Sequence, residues 1–250
     1  MRAIILAAGL GWRLGGGEEQ PPKCLLRFGG ASLLERHLHA LAAAGVRDVH
    51  VGVGYRAADI EAEVARLRPP IPVHLVHNPD FHEGNVVTLH TLRAAMRAGG
   101  ELLLMDADVL YHADLLQRLT RSQHANCFLL DRDFEAGEEP VKLCVAGGRL
   151  VEFGKIIAPQ VLFESCGESV GFFKLGEAMA MRLAARAEHY LHIGRRDAFY
   201  EDALRDLLLE TPAEFGFEDV TGIPWIEIDF QDDIRRAESE VMAHILARAA

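Results

Sequence analysis

A glycine-rich segment near the start of the chain carries residue types that bind phosphate. The apolar run at residues 2–7 leads into the sequence LAAGLGWRL at 6–14, and Lys23 follows shortly afterwards. Glycines leave backbone N–H groups open to a ligand, while arginine and lysine side chains neutralise phosphate charge. The segment therefore predicts a nucleotide-binding loop at the end of a strand.

Two common phosphate-binding loops do not fit this segment. A Walker loop needs a glycine followed by lysine and then Ser or Thr, and the sequence contains no such triplet. A dinucleotide fingerprint needs a third glycine where Leu14 stands, and the next predicted strand ends in Gly54 and Tyr55 instead of the acid that binds ribose. A different nucleotide chemistry is therefore indicated.

Acidic residues follow two later apolar strands. Asp106 and Asp108 belong to the segment MDADV, and Glu227 and Asp229 belong to WIEID. In an extended strand, residues two apart point to the same side. Magnesium is bound in proteins by one or two carboxylates and completes its shell with phosphate and water. The two acidic strand ends therefore predict a Mg²⁺ site at the carboxyl edge of a sheet.

Together, these motifs resemble the nucleotidyltransferases that join a nucleoside triphosphate to a sugar phosphate or an alcohol phosphate. Those enzymes have an A-A-G-x-G-x-R-[LM] loop, then P-K, then D-x-D or G-D, and a late acidic residue. All four motifs occur here in that order, so the resemblance covers nearly the whole chain. Two features depart from the pattern: Trp12 replaces the usual Ser or Thr, and GGGEEQ at 15–20 lengthens the segment before the lysine.

The resemblance implies roles for the residues of these motifs. Arg13 and Lys23 would be the catalytic residues, Arg13 holding the β- and γ-phosphates and Lys23 stabilising charge at the α-phosphoryl group. The implied metal-site residues are Asp108 and Asp229 as ligands, with Asp106 and Glu227 in secondary positions. The implied backbone contacts to the base and phosphates are Leu6, Ala7, Ala8, Gly9 and Gly11.

Three further segments resemble the small cytidylyltransferases that act on phosphocholine, inositol 1-phosphate or 2-aminoethylphosphonate. EGNVVTL resembles their G-N-x-x-S-L stretch, which implies that Gly84 and Asn85 lie against the base. EPVKLCVAGGRLVEFGK resembles the segment across their acceptor pocket, and FYEDAL resembles their Y-E-D-A-[IL] helix. The acceptor-binding residues that these two segments imply are Lys142, Lys155, Glu201 and Asp202.

The implied function is Mg²⁺-dependent transfer from CTP to a small alcohol phosphate, which gives a CDP-alcohol and pyrophosphate. Three alternatives stay open: a uridylyl- or thymidylyltransferase acting on a hexose 1-phosphate, a molybdopterin-type nucleotidyltransferase, and a non-catalytic module that senses a nucleotide. The acceptor is not identified by the sequence, and a homodimer is possible.

Alternating strands and helices predict an α/β fold, in which a Rossmann-like, mostly parallel sheet has helices on both faces. A small antiparallel cap is expected in the second half, with a hairpin around residues 147–148. We expect a single nucleotidyltransferase domain over 1–250, with a nucleotide-binding half (1–125) and an acceptor-binding half with a C-terminal helix (126–250). The predicted elements are strands at 2–7, 48–55, 72–78, 101–109, 127–132, 141–154, 169–175 and 225–229, and helices at 32–45, 57–67, 85–99, 113–122, 176–190, 198–209 and from 231.

Composition narrows the range of partners. The 250 residues carry a net charge of −11, which opposes binding to nucleic acid and to anionic membranes. No apolar run approaches the roughly 20 residues that a membrane-spanning helix needs, and the N-terminus does not resemble a signal peptide. We therefore expect a cytoplasmic enzyme whose partners are a nucleoside triphosphate and a phosphorylated acceptor, without membrane insertion.

Overall fold

Strands and helices alternate along most of the chain. The computed structural model describes residues 1–15, 20–135, 137 and 139–249, so most of the 15–20 segment lies outside the described residues. The strands are β1 (Arg2–Ala7), β2 (Arg27–Phe28), β3 (Ala31–Ser32), β4 (Val49–Val53), β5 (Val73–His77), β6 (Leu102–Asp106), β7 (Val109–Tyr111), β8 (Asn126–Asp131), β9 (Lys142–Ala146), β10 (Arg149–Gly154), β11 (Ser165–Leu175), β12 (Phe215–Asp219) and β13 (Trp225–Glu227). The helices are α1 (Leu33–Ala43), α2 (Ala57–Leu67), α3 (Asn85–Thr91), α4 (Arg93–Met96), α5 (Ala113–Arg121), α6 (Glu177–His192), α7 (Tyr200–Glu210), α8 (Gln231–Arg236) and α9 (Met242–Ala249).

The first half of the chain forms the parallel part of the main sheet. β1 pairs in parallel with β4 and β6, and β4 pairs in parallel with β5. Ile4 and Ile5 are neighbours on β1 and both are fully buried, although they belong to two different core clusters. Because successive strand residues face opposite sides, both faces of this sheet are covered, which is the usual state of a parallel sheet.

The second half adds antiparallel strands, as predicted. The long strand β11 pairs antiparallel with β6, β8 and β9, and β9 forms a hairpin with β10. Gly147 and Gly148 at the hairpin turn have φ of 56° and 72°, values that favour glycine and suit a tight two-residue turn. The strand β12, which pairs with β8, is absent from the sequence prediction. Its sequence FGFED sets two strand-favouring phenylalanines among Gly, Glu and Asp, which are depleted in strands, so its strand signal is weak.

Four predicted elements need correction, three of them before the C-terminal helices. The helix predicted at 85–99 is divided into α3 and α4 at Leu92, and the predicted strand at 225–229 ends as β13 at Glu227. The strand predicted at 101–109 ends at Asp106, and the chain then continues as β7, which pairs with β13 in a separate two-stranded sheet. The apolar run around MDADV therefore forms two strands instead of one. Asp106 ends β6 and Asp108 lies between the two strands, so the two side chains are not required to point to the same side.

The C-terminal helices pack against the opening loop. The helix predicted from 231 is divided into α8, a π-helical turn (Ala237–Val241) and α9. Ala237, Met242 and Ile245 are buried in a third core cluster that also contains Leu14 and Ile228. This cluster therefore joins the glycine-rich loop to the segment that follows β13. Within the described part of the chain, no helix has both the length and the apolar character needed to cross a membrane.

Candidate active site

The glycine-rich loop turns sharply after β1. Gly11 has φ of 65° and starts a short 3₁₀ turn, Trp12–Leu14, in which Leu14 is buried while Trp12 is 72% exposed. Gln231 Nε2 donates a hydrogen bond to the carbonyl oxygen of Leu14 at 2.6 Å. The buried leucine and this hydrogen bond hold the turn, which places Arg13 at the mouth of the cleft.

Lys23 connects two acidic segments that are far apart in the sequence. Its Nζ lies 2.9 Å from Asp108 Oδ2 and 2.6 Å from Asp229 Oδ1. Burial would lower the pKa of Lys23, but the attraction of Asp108 and then Asp229 raises it above its ordinary value. The ammonium group is therefore a permanent positive charge between the two carboxylates.

Three carboxylates meet at this point. Oxygen atoms of Asp108, Glu227 and Asp229 all lie within 4.8 Å of one another. The backbone N–H of Ile228 donates to the carbonyl oxygen of Asp108 at 3.0 Å, which holds the two acidic segments together. Burial, followed by repulsion from Asp108, raises the pKa of Glu227 well above its ordinary value. For Asp229, burial would raise the pKa, but Lys23 lowers it.

Asp106 lies behind this group and is held by Tyr200. Tyr200 Oη donates to Asp106 Oδ2 at 2.6 Å. Burial, and then the negative charge of Glu201, raise the pKa of Asp106 well above its ordinary value. Gly171, with φ of 79°, leaves room for this carboxylate, because a Cβ at that position would lie 2.2 Å from Asp106 Oδ2. The sequence analysis does not single out Gly171, and it does not predict the hydrogen bond from Tyr200 to Asp106.

Gly84 and Asn85 join the nucleotide half to the start of α7. The N–H of Gly84 donates to the carbonyl oxygen of Arg196 at 2.9 Å, and a Cβ on Gly84 would lie 2.3 Å from the carbonyl oxygen of Ala198. Asn85 Oδ1 accepts from the N–H of Tyr200 at 2.6 Å. Glycine is therefore required here by close packing of two backbones. The predicted contacts of this pair with the base stay predictions.

The predicted acceptor residues Glu201 and Asp202 have different environments. Burial raises the pKa of Glu201 to about 7. Its Oε2 is buried and has no hydrogen-bond partner among the described residues. Asp202 is 42% exposed, and its Oδ2 accepts from the N–H of Phe199 at 3.1 Å. Asp202 thus caps the start of α7, and Glu201 alone of the two faces the cleft.

The two predicted acceptor lysines also differ. Lys142 Nζ donates to the carbonyl oxygens of Gly137 at 2.7 Å and Lys155 at 2.8 Å, so it holds neighbouring backbone together. Lys155 Nζ lies 3.2 Å from Glu139 Oε2. That same carboxylate oxygen lies 2.9 Å from Arg13 Nη1, and Arg13 Nη1 also lies 3.2 Å from Asp229 Oδ2.

Adjoining cavities form a cleft around the carboxylates. A cavity of about 190 Å³ is lined by the glycine-rich loop, Lys23, Asn85 and the acidic residues. The other residues predicted to contact the nucleotide that line this cavity are Leu6, Ala7, Ala8, Gly9 and Gly11. A small cavity of about 40 Å³ shares Glu227 with it and reaches Lys155 and Tyr200. A larger cavity of about 570 Å³ also contains Glu227 in its wall.

The larger cavity has an acidic wall that the sequence does not predict, and Trp225 lies beside it. Asp131 is buried, and its Oδ2 accepts a hydrogen bond from Trp225 Nε1 at 2.7 Å, which fixes the indole ring. Glu168 stands opposite Asp131 on the paired strands β11 and β8. Burial, and then the charge of Asp131, raise the pKa of Glu168 to about 7. The position of Trp225 directly before the acidic segment is the one local signal for this wall.

A family model matches residues 3–206, and its description is MobA-like NTP transferase domain. The chain belongs to this family. The predicted nucleotidyltransferase family and enzyme class are therefore confirmed, and the observed sheet agrees with the predicted fold class.

Similar proteins include two curated relatives and one solved structure. The chain is 30% identical over 244 residues to the bifunctional IPC transferase and DIPP synthase of Rubrobacter xylanophilus, covering 96% of this chain and 52% of that protein. It is 27% identical over 246 residues to the CMP-5'-(3-aminopropyl)phosphonate synthase of Streptomyces rubellomurinus, covering 95% and 38% respectively. The chain thus spans about half or less of these relatives. The structure of the inositol-1-phosphate CTP transferase from T. maritima superposes with a TM-score of 0.74 at 22% identity, covering 98% of this chain and 95% of that one.

Proposed function

We propose that this chain transfers a cytidylyl group from CTP to a phosphate or phosphonate oxygen of a small acceptor, with release of pyrophosphate. The observation that carries the proposal is the position of Lys23 between Asp108 and Asp229, beside the cavity that the glycine-rich loop lines. A fixed cation at this position suits a reaction in which two polyanions meet.

The reaction places separate demands on Lys23 and Arg13. An acceptor oxygen attacks the α-phosphorus, and the bond from that phosphorus to the bridging oxygen of the β-phosphate breaks. The attacking oxygen is already anionic, so no base is needed to activate it. Since its pKa is raised, Lys23 stays protonated and stabilises charge at the α-phosphoryl group. Arg13, at the mouth of the cleft, offers a planar group suited to the departing pyrophosphate.

The three grouped carboxylates fit Mg²⁺. Their ligand atoms are hard oxygens within 4.8 Å of one another, and Mg²⁺ prefers such ligands together with phosphate oxygens and water. Asp108, Glu227 and Asp229 are the residues that would hold it. When bound, the ion would neutralise phosphate charge and align the two reacting groups.

The larger cavity favours an acceptor that carries a positive charge. Glu168 and Asp131 face each other across paired strands, and burial followed by the charge of Asp131 raises the pKa of Glu168, so a cation beside the pair would be favourable even with Lys142 and Arg236 nearby. Trp225 provides an aromatic wall, and aromatic faces attract ammonium groups. The relative from S. rubellomurinus is named for an aminopropylphosphonate product, which has such a charge. An amino or quaternary ammonium group on the acceptor is therefore proposed.

Pyrophosphate release tests both parts of this proposal. The assay uses Mg²⁺ and crosses CTP, UTP, dTTP, GTP and ATP with phosphocholine, 2-aminoethylphosphonate, inositol 1-phosphate and glucose 1-phosphate. We expect turnover with CTP and a cationic acceptor. Turnover with CTP and inositol 1-phosphate alone would contradict the charged-acceptor assignment. Turnover only with UTP or dTTP and glucose 1-phosphate would replace the cytidylyl assignment with the hexose 1-phosphate alternative.

A binding measurement shows whether a lack of turnover means that the right acceptor was not tested or that the proposed function is wrong. If no pair releases pyrophosphate, calorimetry with each triphosphate shows whether the cleft binds nucleotide. Binding with no turnover in this assay would require a wider search of acceptors. Absence of binding would reject the proposed transferase.

A further inference from the structure

One carboxylate bridges cations from the two halves of the cleft. Glu139 Oε2 lies 2.9 Å from Arg13 Nη1 and 3.2 Å from Lys155 Nζ. Arg13 belongs to the glycine-rich loop, and Lys155 directly follows β10 in the acceptor half. Glu139 therefore neutralises two cations that come from distant parts of the sequence.

Lys142 holds the backbone around Glu139 in place. Its ammonium group donates to the carbonyl oxygens of Gly137 at 2.7 Å, Pro140 at 3.3 Å and Lys155 at 2.8 Å. A lysine ammonium has three donors, so these contacts use all of them. The carbonyl groups of Gly137 and Pro140 are thus held close to that of Lys155 by an interaction that does not involve the carboxylate of Glu139.

The ion pairs of Glu139 are suited to exchange. The side chains of Arg13, Glu139 and Lys155 are 43%, 52% and 35% exposed. Ion pairs that contact solvent contribute little net stability, so an incoming anion meets only weak competition. A polyphosphate carries more charge than one carboxylate and matches the fork of an arginine side chain. Lys23, in contrast, is only 16% exposed.

We propose that Glu139 is an internal counter-anion that occupies the binding position of pyrophosphate-type ligands, and that it sets their affinity by competing for Arg13 and Lys155. The assignment of phosphate groups to these cations rests on the proposed function. The inference concerns only the binding of pyrophosphate groups, so it holds whichever base or acceptor the protein uses. When a polyphosphate binds, Arg13 and Lys155 exchange the carboxylate for phosphate oxygens.

Calorimetry with inorganic pyrophosphate tests this inference on the full chain. Glu139→Gln should bind pyrophosphate about 3- to 10-fold more tightly than the wild type, because weak competing ion pairs are removed. Glu164→Gln is the matched control: it removes one negative charge from an exposed residue whose carboxylate accepts from Gly147 N at the β9–β10 turn. Its affinity should stay within about twofold of the wild type, since exposed charges at a distance are screened.

Double-mutant cycles identify the cations. Arg13→Ala and Lys155→Ala should each reduce the gain that Glu139→Gln produces, because the proposed competition takes place at both cations. Unchanged or weaker pyrophosphate binding by Glu139→Gln would overturn the inference, and so would an equal gain in Glu164→Gln. Tighter pyrophosphate binding by Glu139→Gln, combined with turnover only of UTP or dTTP by the wild type, would uphold the inference while rejecting the proposed function. Cytidylyl transfer by the wild type without tighter pyrophosphate binding by Glu139→Gln would support the proposed function and reject the inference.

Discussion

The inner and outer parts of the cleft use ion pairs of different kinds. In the inner part, Lys23 and its partners Asp108 and Asp229 are 16%, 19% and 21% exposed. In the outer part, Arg13, Glu139 and Lys155 are about twice as exposed or more. Solvent screens the outer pairs, while the inner pairs are stronger because they are less hydrated. This difference indicates that the inner group is built to stay fixed during the reaction and the outer group to exchange partners.

Replacing one lysine from each part gives the most direct test of this comparison. Lys23→Ala should lower kcat about 100- to 1000-fold, because it removes charge stabilisation that acts in the transition state. Lys155→Ala should raise the KM for CTP, whose polyphosphate it is proposed to contact, and leave kcat within about fivefold, because the outer part acts in binding. Steady-state pyrophosphate release at varied substrate concentrations measures both. Equal losses of kcat in the two variants would remove the distinction between inner and outer lysines.

The sequence predicts the inner part of the cleft better than it predicts the wall of the larger cavity. Residues of the inner part lie in short motifs at strand ends, such as Asp108 in MDADV, so local spacing is enough to find them. Asp131, Glu168 and Trp225 come from three separate strands, and only the pairing of β8 with β11 and the hydrogen bond from the indole bring them together. No local pattern encodes such contacts.

The main errors in the fold prediction have a related cause. The apolar run before Asp106 continues into Val109–Tyr111, so hydrophobicity alone predicts one strand. The interruption depends on β13, which lies more than a hundred residues later and pairs with β7. Strand β12 is absent from the prediction because its phenylalanines alternate with and precede strand-depleted residues, while its pairing with β8 comes from a segment more than 80 residues earlier. Alternation, turn glycines and helix caps nevertheless predict the parallel half and the hairpin.

A glycine near the inner carboxylates tests whether their positions are fixed by packing. Gly171→Ala should lower the free energy of unfolding by about 3 kcal/mol, since it combines strain at positive φ with a Cβ 2.2 Å from Asp106 Oδ2. Gly148→Ala is the matched control, because its φ of 72° imposes similar strain while no atom lies within 4 Å of the added Cβ. It should lose only about 1 kcal/mol. Urea denaturation measures both changes, and pyrophosphate release should fall only in Gly171→Ala. Equal losses in the two variants would show that Asp106 accommodates the methyl group.

Glu63 is a buried, ion-paired carboxylate outside the cleft, and it tests whether burial alone makes an ion pair strong. Glu63 is 8% exposed and accepts hydrogen bonds from Arg66 at 2.8 Å, Ser32 at 2.8 Å and Arg27 at 2.9 Å. The hydrogen bond from Arg66 is the main cause that lowers the pKa of Glu63 to about 2, and burial opposes it. If low hydration makes an ion pair strong and fixed, this group should stabilise the fold without any role in catalysis.

The pH dependence of stability separates Glu63 from an exposed carboxylate. Since its folded pKa lies below the unfolded value of about 4.3, its ionised form stabilises the folded chain above that pH and progressively less as the pH falls towards 2. Glu63→Gln should therefore lose about 2 kcal/mol at pH 7, and its difference from the wild type should narrow between pH 4.5 and pH 3. Glu61→Gln, an exposed position on the same helix α2, should change stability by less than about 0.5 kcal/mol at either pH. Urea denaturation at several pH values gives all three curves. If the difference in free energy of unfolding between Glu63→Gln and the wild type stays constant with pH, the packing of the side chain, and not its ionisation, stabilises the contact between α2 and the β2–β3 turn.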